Sequence, residues 1–169
     1  MCRGLIVFFT VAVVMVGATA AFAVTGAATQ SVTVTIEEVA LLGASADPGT
    51  FTLSGADTVA GSLPVVSDTS TSLSWTSNAA AGLSRKITAR LDSDMPASFV
   101  LKATLAKPSG SGGTPAPQRT LSSTAGDMFW DITNESCTGA TITFEASLSA
   151  MVPPQTVNRT VTWTLSEDQ

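Results

Sequence analysis

The residues best suited to ligand chemistry are two aspartates that flank an aromatic residue, Asp127, Phe129 and Asp131. Residues two apart in a strand point to the same face, so the three side chains would share one surface. A ring placed among carboxylates on a solvent-facing surface can stack on a sugar ring. The pattern therefore predicts a ligand-contact patch, with surface glycans as its partner. The alternative is that a loop buries both faces of this strand, which leaves the ring without a surface role.

The other acidic pairs are poor candidates for catalysis or for a metal site. Glu37 and Glu38 are adjacent in a predicted strand and would point to opposite faces. Asp92 and Asp94 flank a predicted turn, where aspartate side chains bond the local backbone. They could also bind Ca²⁺, but two carboxylates without a D-x-D-x-D-G loop make a weak calcium site. The sequence therefore predicts no metal and no cofactor.

Composition excludes most enzyme chemistries and two classes of partner. The chain contains no histidine, which removes histidine-based triads, histidine general bases and most zinc sites. It also lacks the G-x-S-x-G, S-x-x-K, Walker and G-x-G-x-x-G motifs. A net charge of −5 argues against nucleic acid or an anionic membrane surface as a partner. We therefore expect a protein that is not an enzyme.

Residues 1–23 have the three-part order of a secretory signal peptide. Arg3 gives a basic start, an apolar run extends from Leu5 to Val16, and an A-x-A cleavage signal ends at Ala23. The apolar run is too short for a membrane span. Cleavage is predicted after Ala23, with Ala20 as the alternative. The mature chain is then secreted, extracellular or at the cell surface (periplasmic in a diderm source), without a membrane span.

Cysteine usage leaves one thiol in the mature chain, because Cys2 leaves with the signal peptide and Cys137 remains. No intramolecular disulfide is then possible. In an exported protein such a cysteine is either buried and inert or available for intermolecular pairing. The buried alternative is favoured, because free cysteine is among the residue types most often buried.

Apolar and polar residues alternate with a period of two in many parts of the chain, which is typical of half-buried strands. Trp75, Trp130 and Trp163 are each in phase with aliphatic residues of their own segment, so all three are predicted to fill the core. The alternating stretches are 31–36, 51–53, 73–76, 85–91, 99–105, 128–133, 142–148 and 160–165.

Short alternating segments separated by turn residues favour an all-β fold, an antiparallel β-sandwich. We expect one domain over residues 24–169, Ig-like or fimbrial-like, with roughly seven to nine strands. The stretch 107–117, KPSGSGGTPAP, is predicted to be a flexible loop that forms neither strand nor helix.

The segment from Val24 to Ile36 carries no charge and ends in an alternation of valine or isoleucine with threonine. An exposed strand of this kind needs a partner, because its backbone edge and its apolar face both promote aggregation. One solution is the first strand of its own sandwich, beside residues 160–165. The other is strand donation, in which Val32, Val34 and Ile36 complete a neighbouring copy.

Three stretches carry a resemblance to a known group of proteins: SVTVTIEEVALL (31–42), SRKITARLDSDMPASFVLKATL (84–105) and RTVTWTL (159–165). In this order they resemble an uncharacterised group of secreted, mostly bacterial, single-domain β-sandwich proteins, distantly similar to fimbrial or spore-coat subunits. The resemblance implies an extracellular structural role and no catalytic residue. The chain differs from chaperone–usher pilins, which usually carry a disulfide.

These observations together predict an exported, non-enzymatic cell-surface or extracellular structural protein. Its partner would be a further copy of itself, in a homo-oligomer or a self-assembling fibre that uses the N-terminal strand. The alternative is a carbohydrate- or ligand-binding β-sandwich module that uses the Asp127, Phe129 and Asp131 patch.

Overall fold

The computed structural model describes residues 30–45, 47–54 and 58–168. The predicted signal peptide and its cleavage site lie outside these residues. The chain divides into two units, Met1–Thr35 and Ile36–Gln169, and each is described by itself.

Nine strands and no helix occur in the residues that the structure describes. The strands are β1 (Ala40–Ala44), β2 (Val65–Ser77), β3 (Ser84–Leu91), β4 (Phe99–Leu105), β5 (Thr114–Pro115), β6 (Arg119–Thr120), β7 (Gly126–Ile132), β8 (Glu135–Leu148) and β9 (Val161–Asp168).

All strand pairs are antiparallel and form two sheets. The first sheet has the order β1-β2-β8-β4-β6, and the second has the order β5-β7-β3-β9. Apart from the step from β1 to β2, each successive strand lies in the other sheet. Most pairings therefore join segments that are distant in the chain. The predicted all-β class with antiparallel sheets is confirmed.

One apolar core receives side chains from both sheets. The rings of Trp75 in β2 and Phe129 in β7 cross between the sheets, with 5.2 Å between their centroids. The residues of the core cluster are Leu73, Trp75, Ile87, Ala89, Leu91, Ala103, Leu105, Leu121, Met128, Phe129, Ile132, Cys137, Ala140, Ile142 and Phe144. This two-sided packing is the reason for describing the fold as sandwich-like.

The alternating stretches predicted four of the longer strands well. The predictions for 85–91, 99–105, 142–148 and 160–165 are confirmed by β3, β4, β8 and β9. In β3 the apolar side chains Ile87, Ala89 and Leu91 are buried, as a period of two requires.

Strand β7 departs from simple alternation, and two predictions there are wrong. Met128 and Phe129 are neighbours and both are fully buried, whereas Trp130 is only half-buried. The cause is a pair of register shifts against β3, which let consecutive residues face the same side. Asp131, with φ of 60°, takes the left-handed conformation that aspartate tolerates better than most residues. Phe129 is therefore a core residue, and Trp130 is not.

The stretch 107–117 contains a short strand that its composition does not predict. Thr114–Pro115 form β5 and pair with β7, so the prediction that no strand forms here is wrong. Gly113 lies against Phe129 so closely that an added Cβ would overlap the ring and come within 2.8 Å of the Trp130 carbonyl oxygen. Only a residue without a side chain fits this approach.

Two predicted strands do not form. Residues 30–39 are in neither helix nor strand, and neither are residues 47–54. The prediction that 31–36 is the first strand of its own sandwich is therefore wrong. Phe51 nevertheless packs on Phe144, with 6.3 Å between ring centroids. Alternation indicates that a segment suits a half-buried strand, but a strand also needs a partner for its backbone hydrogen bonds.

The burial of Phe129 in place of Trp130 in β7 predicts different stability losses for two neighbouring substitutions. Phe129→Ala should lower the free energy of unfolding by about 3–5 kcal/mol, because it empties a fully buried site. Trp130→Ala, the matched change one residue later, should cost less than about half as much, since that ring is already partly hydrated. Urea denaturation of both variants measures the difference. A larger loss for Trp130→Ala would contradict the register of β7.

Candidate functional site

The last strand, β9, has an open edge. It pairs with β3 on one side and stands at the end of its sheet. Its inward side chains Val161, Trp163 and Leu165 pack against the core but remain half-buried. The predicted phase of this strand is correct, although Trp163 is less enclosed than a core residue. The core is thus incompletely covered along β9.

A cavity of about 370 Å³ opens beside the start of β9. Ile142 and Phe144 of β8 contribute its apolar wall, together with Trp163. The Phe144 and Trp163 rings meet edge to face, with 6.4 Å between their centroids. Ala44 and Ser45, at the end of β1, line the opposite side. The cavity is therefore a groove between the edges of the two sheets. Its wall on the β8 and β9 side is apolar, and polar residues such as Asp47, Thr71 and Arg159 complete its lining.

The mouth of this groove carries one fixed cation. The Arg159 guanidinium donates to the Asp94 carbonyl oxygen from Nε at 3.0 Å and from Nη2 at 2.8 Å. Ser123 donates its backbone N–H to Asp94 Oδ1 at 2.6 Å, and this hydrogen bond lowers the pKa of the Asp94 carboxyl. These bonds tie the chain entering β9 to the turn after β3.

The backbone of β9 directs alternate residues to its two sides. Asp92 donates its N–H to the Thr160 carbonyl oxygen at 3.0 Å, which makes this a hydrogen-bonded pair. In an antiparallel ladder such pairs recur at every second residue, so Thr162 and Thr164 also face β3. The N–H and C=O groups of Val161, Trp163 and Leu165 therefore point away from β3, toward the open edge.

The proposed donor residues are highly exposed. The side chains of Val32, Val34 and Ile36 are 77%, 79% and 82% exposed. They are the apolar half of an alternation whose other members are Thr33 and Thr35. Large aliphatic side chains in a row at this exposure are a liability for a soluble protein unless something covers them.

A buried arginine anchors the chain directly after this segment. Arg85 in β3 is only 5% exposed, and its guanidinium bonds the Glu38 carboxylate and the Val39 carbonyl oxygen. Asn78 adds a bond from Nδ2 to the Glu37 carbonyl oxygen at 2.8 Å and a bond from its N–H to Val39 at 3.1 Å. The base of the N-terminal segment is thus fixed to the sandwich.

The predicted ligand patch is not assembled. Phe129 is 0% exposed, so its ring cannot stack on a sugar, and the prediction that it faces solvent is wrong. Asp127 lies 3.5 Å from Lys86 Nζ, and Asp131 accepts a 3.4 Å hydrogen bond from Thr114. The two carboxylates are surface groups with partners of their own.

The remaining acidic pairs serve local structure. Asp92 Oδ1 accepts hydrogen bonds from the N–H groups of Ser93 at 2.9 Å and Thr160 at 3.2 Å. Glu38 contacts Arg85, and the expected strand at Glu37 and Glu38 does not form. No group of three or more possible metal-ligating side chains occurs among the residues placed by the structure.

Cys137 lies in the hydrophobic core, beside a cluster of hydrogen bonds at Glu135 that the sequence did not reveal. It is 6% exposed, and its neighbour Glu135 accepts hydrogen bonds from Trp75 Nε1 at 2.7 Å and from Ser111 Oγ at 2.9 Å. Gly112 N–H donates to the second Glu135 oxygen at 2.8 Å. Burial, followed by the negative charge of Glu135, raises the pKa of the Cys137 thiol. The thiol is therefore protonated and shielded, as the buried alternative predicted.

The groove itself was missed by sequence reasoning. Its lining comes from segments far apart in the chain, such as Ser45, Phe144 and Trp163. The only sequence signal was the alternation of 160–165, which predicts a strand but not its position at a sheet edge.

No protein-family model matches the chain, and no curated protein or solved structure matches it either. The resemblance to secreted β-sandwich proteins therefore stays an expectation. Within the described ranges, no helix is long and apolar enough to span a membrane.

The environment of Cys137 predicts slow thiol chemistry in the folded state. Alkylation by iodoacetamide at pH 8 should be at least about a hundredfold slower than in urea, because reaction needs an exposed thiolate. Mass spectrometry against time measures both rates. Rapid labelling of the folded protein, or a disulfide-linked dimer through Cys137, would contradict the burial described here.

Proposed function

We propose that this protein is an exported, non-enzymatic structural protein of the cell surface or extracellular space, and that its copies assemble through the N-terminal segment. In this proposal the sandwich is of a fimbrial-like type. The observation that carries the proposal is the row of Val32, Val34 and Ile36, whose apolar side chains are at least 77% exposed.

The first support for self-assembly is the energetic cost of leaving this segment in water. Fully burying a valine or isoleucine side chain contributes about 1.5–3 kcal/mol. Covering three of them would therefore contribute several kcal/mol, less the entropy lost when the segment becomes ordered. A donated strand gains this burial together with backbone hydrogen bonds along the side that faces the acceptor strand.

A second support is the anchor at Arg85. The bonds from Arg85 and Asn78 fix Glu37 to Val39 on the sandwich, so a force on the preceding segment is transmitted to a folded domain. A structural subunit needs such a connection. Export is supported by the composition of residues 1–23, and the lack of histidine supports a role without histidine-based catalysis.

The alternative of a carbohydrate-binding module has less support. Its candidate ring, Phe129, is fully buried and has no surface on which a sugar could stack.

Assembly should depend on which face of the segment is altered. Val34→Asp should raise the concentration needed for assembly by at least about a hundredfold, because it places a charge where an apolar side chain is buried. Thr33→Asp adds the same charge one residue earlier, on the wet face, and should leave assembly within about threefold of the wild type. Analytical ultracentrifugation of protein exported with its own leader measures both.

Two results would contradict this proposal. One is a wild-type protein that stays monomeric at every concentration tested. The other is equal assembly of the Val34→Asp and Thr33→Asp variants, which would show that neither face of the segment is buried between copies.

A further inference from the structure

We propose that the acceptor for the donated segment is the open edge of β9 together with the groove beside it, and that the occupant is Val32 to Ile36 of a second copy. This inference rests on the proposed function and adds the site to which the segment binds. The edge and the groove are adjacent, since Val161 and Trp163 belong to both.

The backbone of β9 is the first argument. The N–H and C=O groups of Val161, Trp163 and Leu165 point away from β3, and β9 is the last strand of its sheet. An antiparallel donor can exchange paired hydrogen bonds with these residues, as every other strand pair of this structure does. The open groups recur at every second residue, which is also the period of the donor segment.

The phase of the side chains is the second argument. Directly opposed residues in a sheet point to the same face. A donor whose Val34 stands opposite Trp163 therefore directs all its apolar side chains toward the core. Its threonines then lie on the outer face beside Thr162 and Thr164, which are exposed. A shift of one residue would place threonines over the core and valines in water.

The size of the groove is the third argument. A water molecule takes about 30 Å³ of liquid, and a methyl or methylene group has a similar volume. In the antiparallel register above, Val34 and Ile36 stand opposite Trp163 and Val161, which both line the cavity. A volume of about 370 Å³ is enough for the seven carbon atoms of these two side chains. Its wall on the β8 and β9 side, formed by Ile142, Phe144 and Trp163, is apolar, whereas Asp47 and Arg159 contribute to the rest of the lining. The segment from 31 to 36 carries no charge to desolvate.

The other sheet edges fit the segment less well. β5 and β6 contain two residues each, too few to pair along a donor strand of five residues. β1 has five residues, and its fourth residue, Gly43, offers no side chain for a cross-strand contact. β9 has eight residues and three half-buried apolar side chains that remain to be covered.

The geometry also determines the kind of assembly. The donor and acceptor surfaces are different parts of the chain, so each copy can give its segment to one neighbour and receive one from another. Such a head-to-tail contact produces an open linear polymer unless the rotation between copies closes it into a ring.

The test uses a variant of the acceptor with a matched control. Val161→Lys places a charge at the groove. It should raise the protein concentration at which half of the chains are assembled at least about tenfold, because a charge on the inner face of an edge strand blocks pairing. Thr162→Lys places the same charge on the exposed face of the same strand and should assemble as the wild type does.

Mixing separates the two halves of the interaction. The Val34→Asp variant keeps an intact acceptor edge, and the Val161→Lys variant keeps an intact donor segment. At a concentration at which the wild type assembles, each variant alone should be monomeric. Their mixture should form a 1:1 complex and nothing longer. Sedimentation velocity on the full exported chains measures this. The 1:1 complex also shows that Val161→Lys is folded well enough to present its segment.

The remaining outcomes overturn the inference in distinguishable ways. If Val34→Asp blocks assembly but Val161→Lys assembles normally, the acceptor is elsewhere and the proposed function stands. If both variants are monomeric and their mixture forms no complex, β9 is not the acceptor. If Val34→Asp itself assembles like the wild type, the proposed function fails together with this inference.

Discussion

The ring pair of Trp75 and Phe129 is the contact on which the rest of the sandwich depends, because it joins the two sheets. The centroids of the two rings are 5.2 Å apart. Its formation requires β7 to turn Phe129 inward, which the register shifts and the left-handed Asp131 allow. The close packing of Gly113 on that ring follows, and so does the partly buried hydrogen bond from Trp75 Nε1 to Glu135. A buried indole N–H without this carboxylate would be costly.

The apolar core is less completely covered along β9 than at this ring pair. At β9 the apolar side chains are half-buried, the backbone groups face outward, and a groove separates the strand from Ser45. The same chain presents three exposed aliphatic side chains just before the residues that Arg85 binds, which include Val39. One copy thus has both an uncovered edge and an uncovered strand-like segment, and the two have matching periods. Association between copies would cover both.

The sequence predicted strands wherever a clean alternation also had a neighbour to pair with, as in β3 and β8. It failed at 31–36, where the alternation is equally clean, because periodicity reports the fitness of a segment for a sheet and not the presence of a partner. It failed at Phe129 because register shifts change which face a residue occupies without altering composition. The groove could not be predicted, since segments distant in the chain line it.

If copies associate through β9, the outward backbone groups of this strand become hydrogen-bonded, and amide hydrogen exchange at single residues measures that change. In the unassembled Val34→Asp variant, Thr162 and Thr164 should exchange slowly because they face β3, whereas Val161, Trp163 and Leu165 should exchange quickly. In assembled wild-type protein the amides of all five residues from 161 to 165 should exchange slowly. Unchanged, rapid exchange at Val161, Trp163 and Leu165 in the assembly would contradict association through β9.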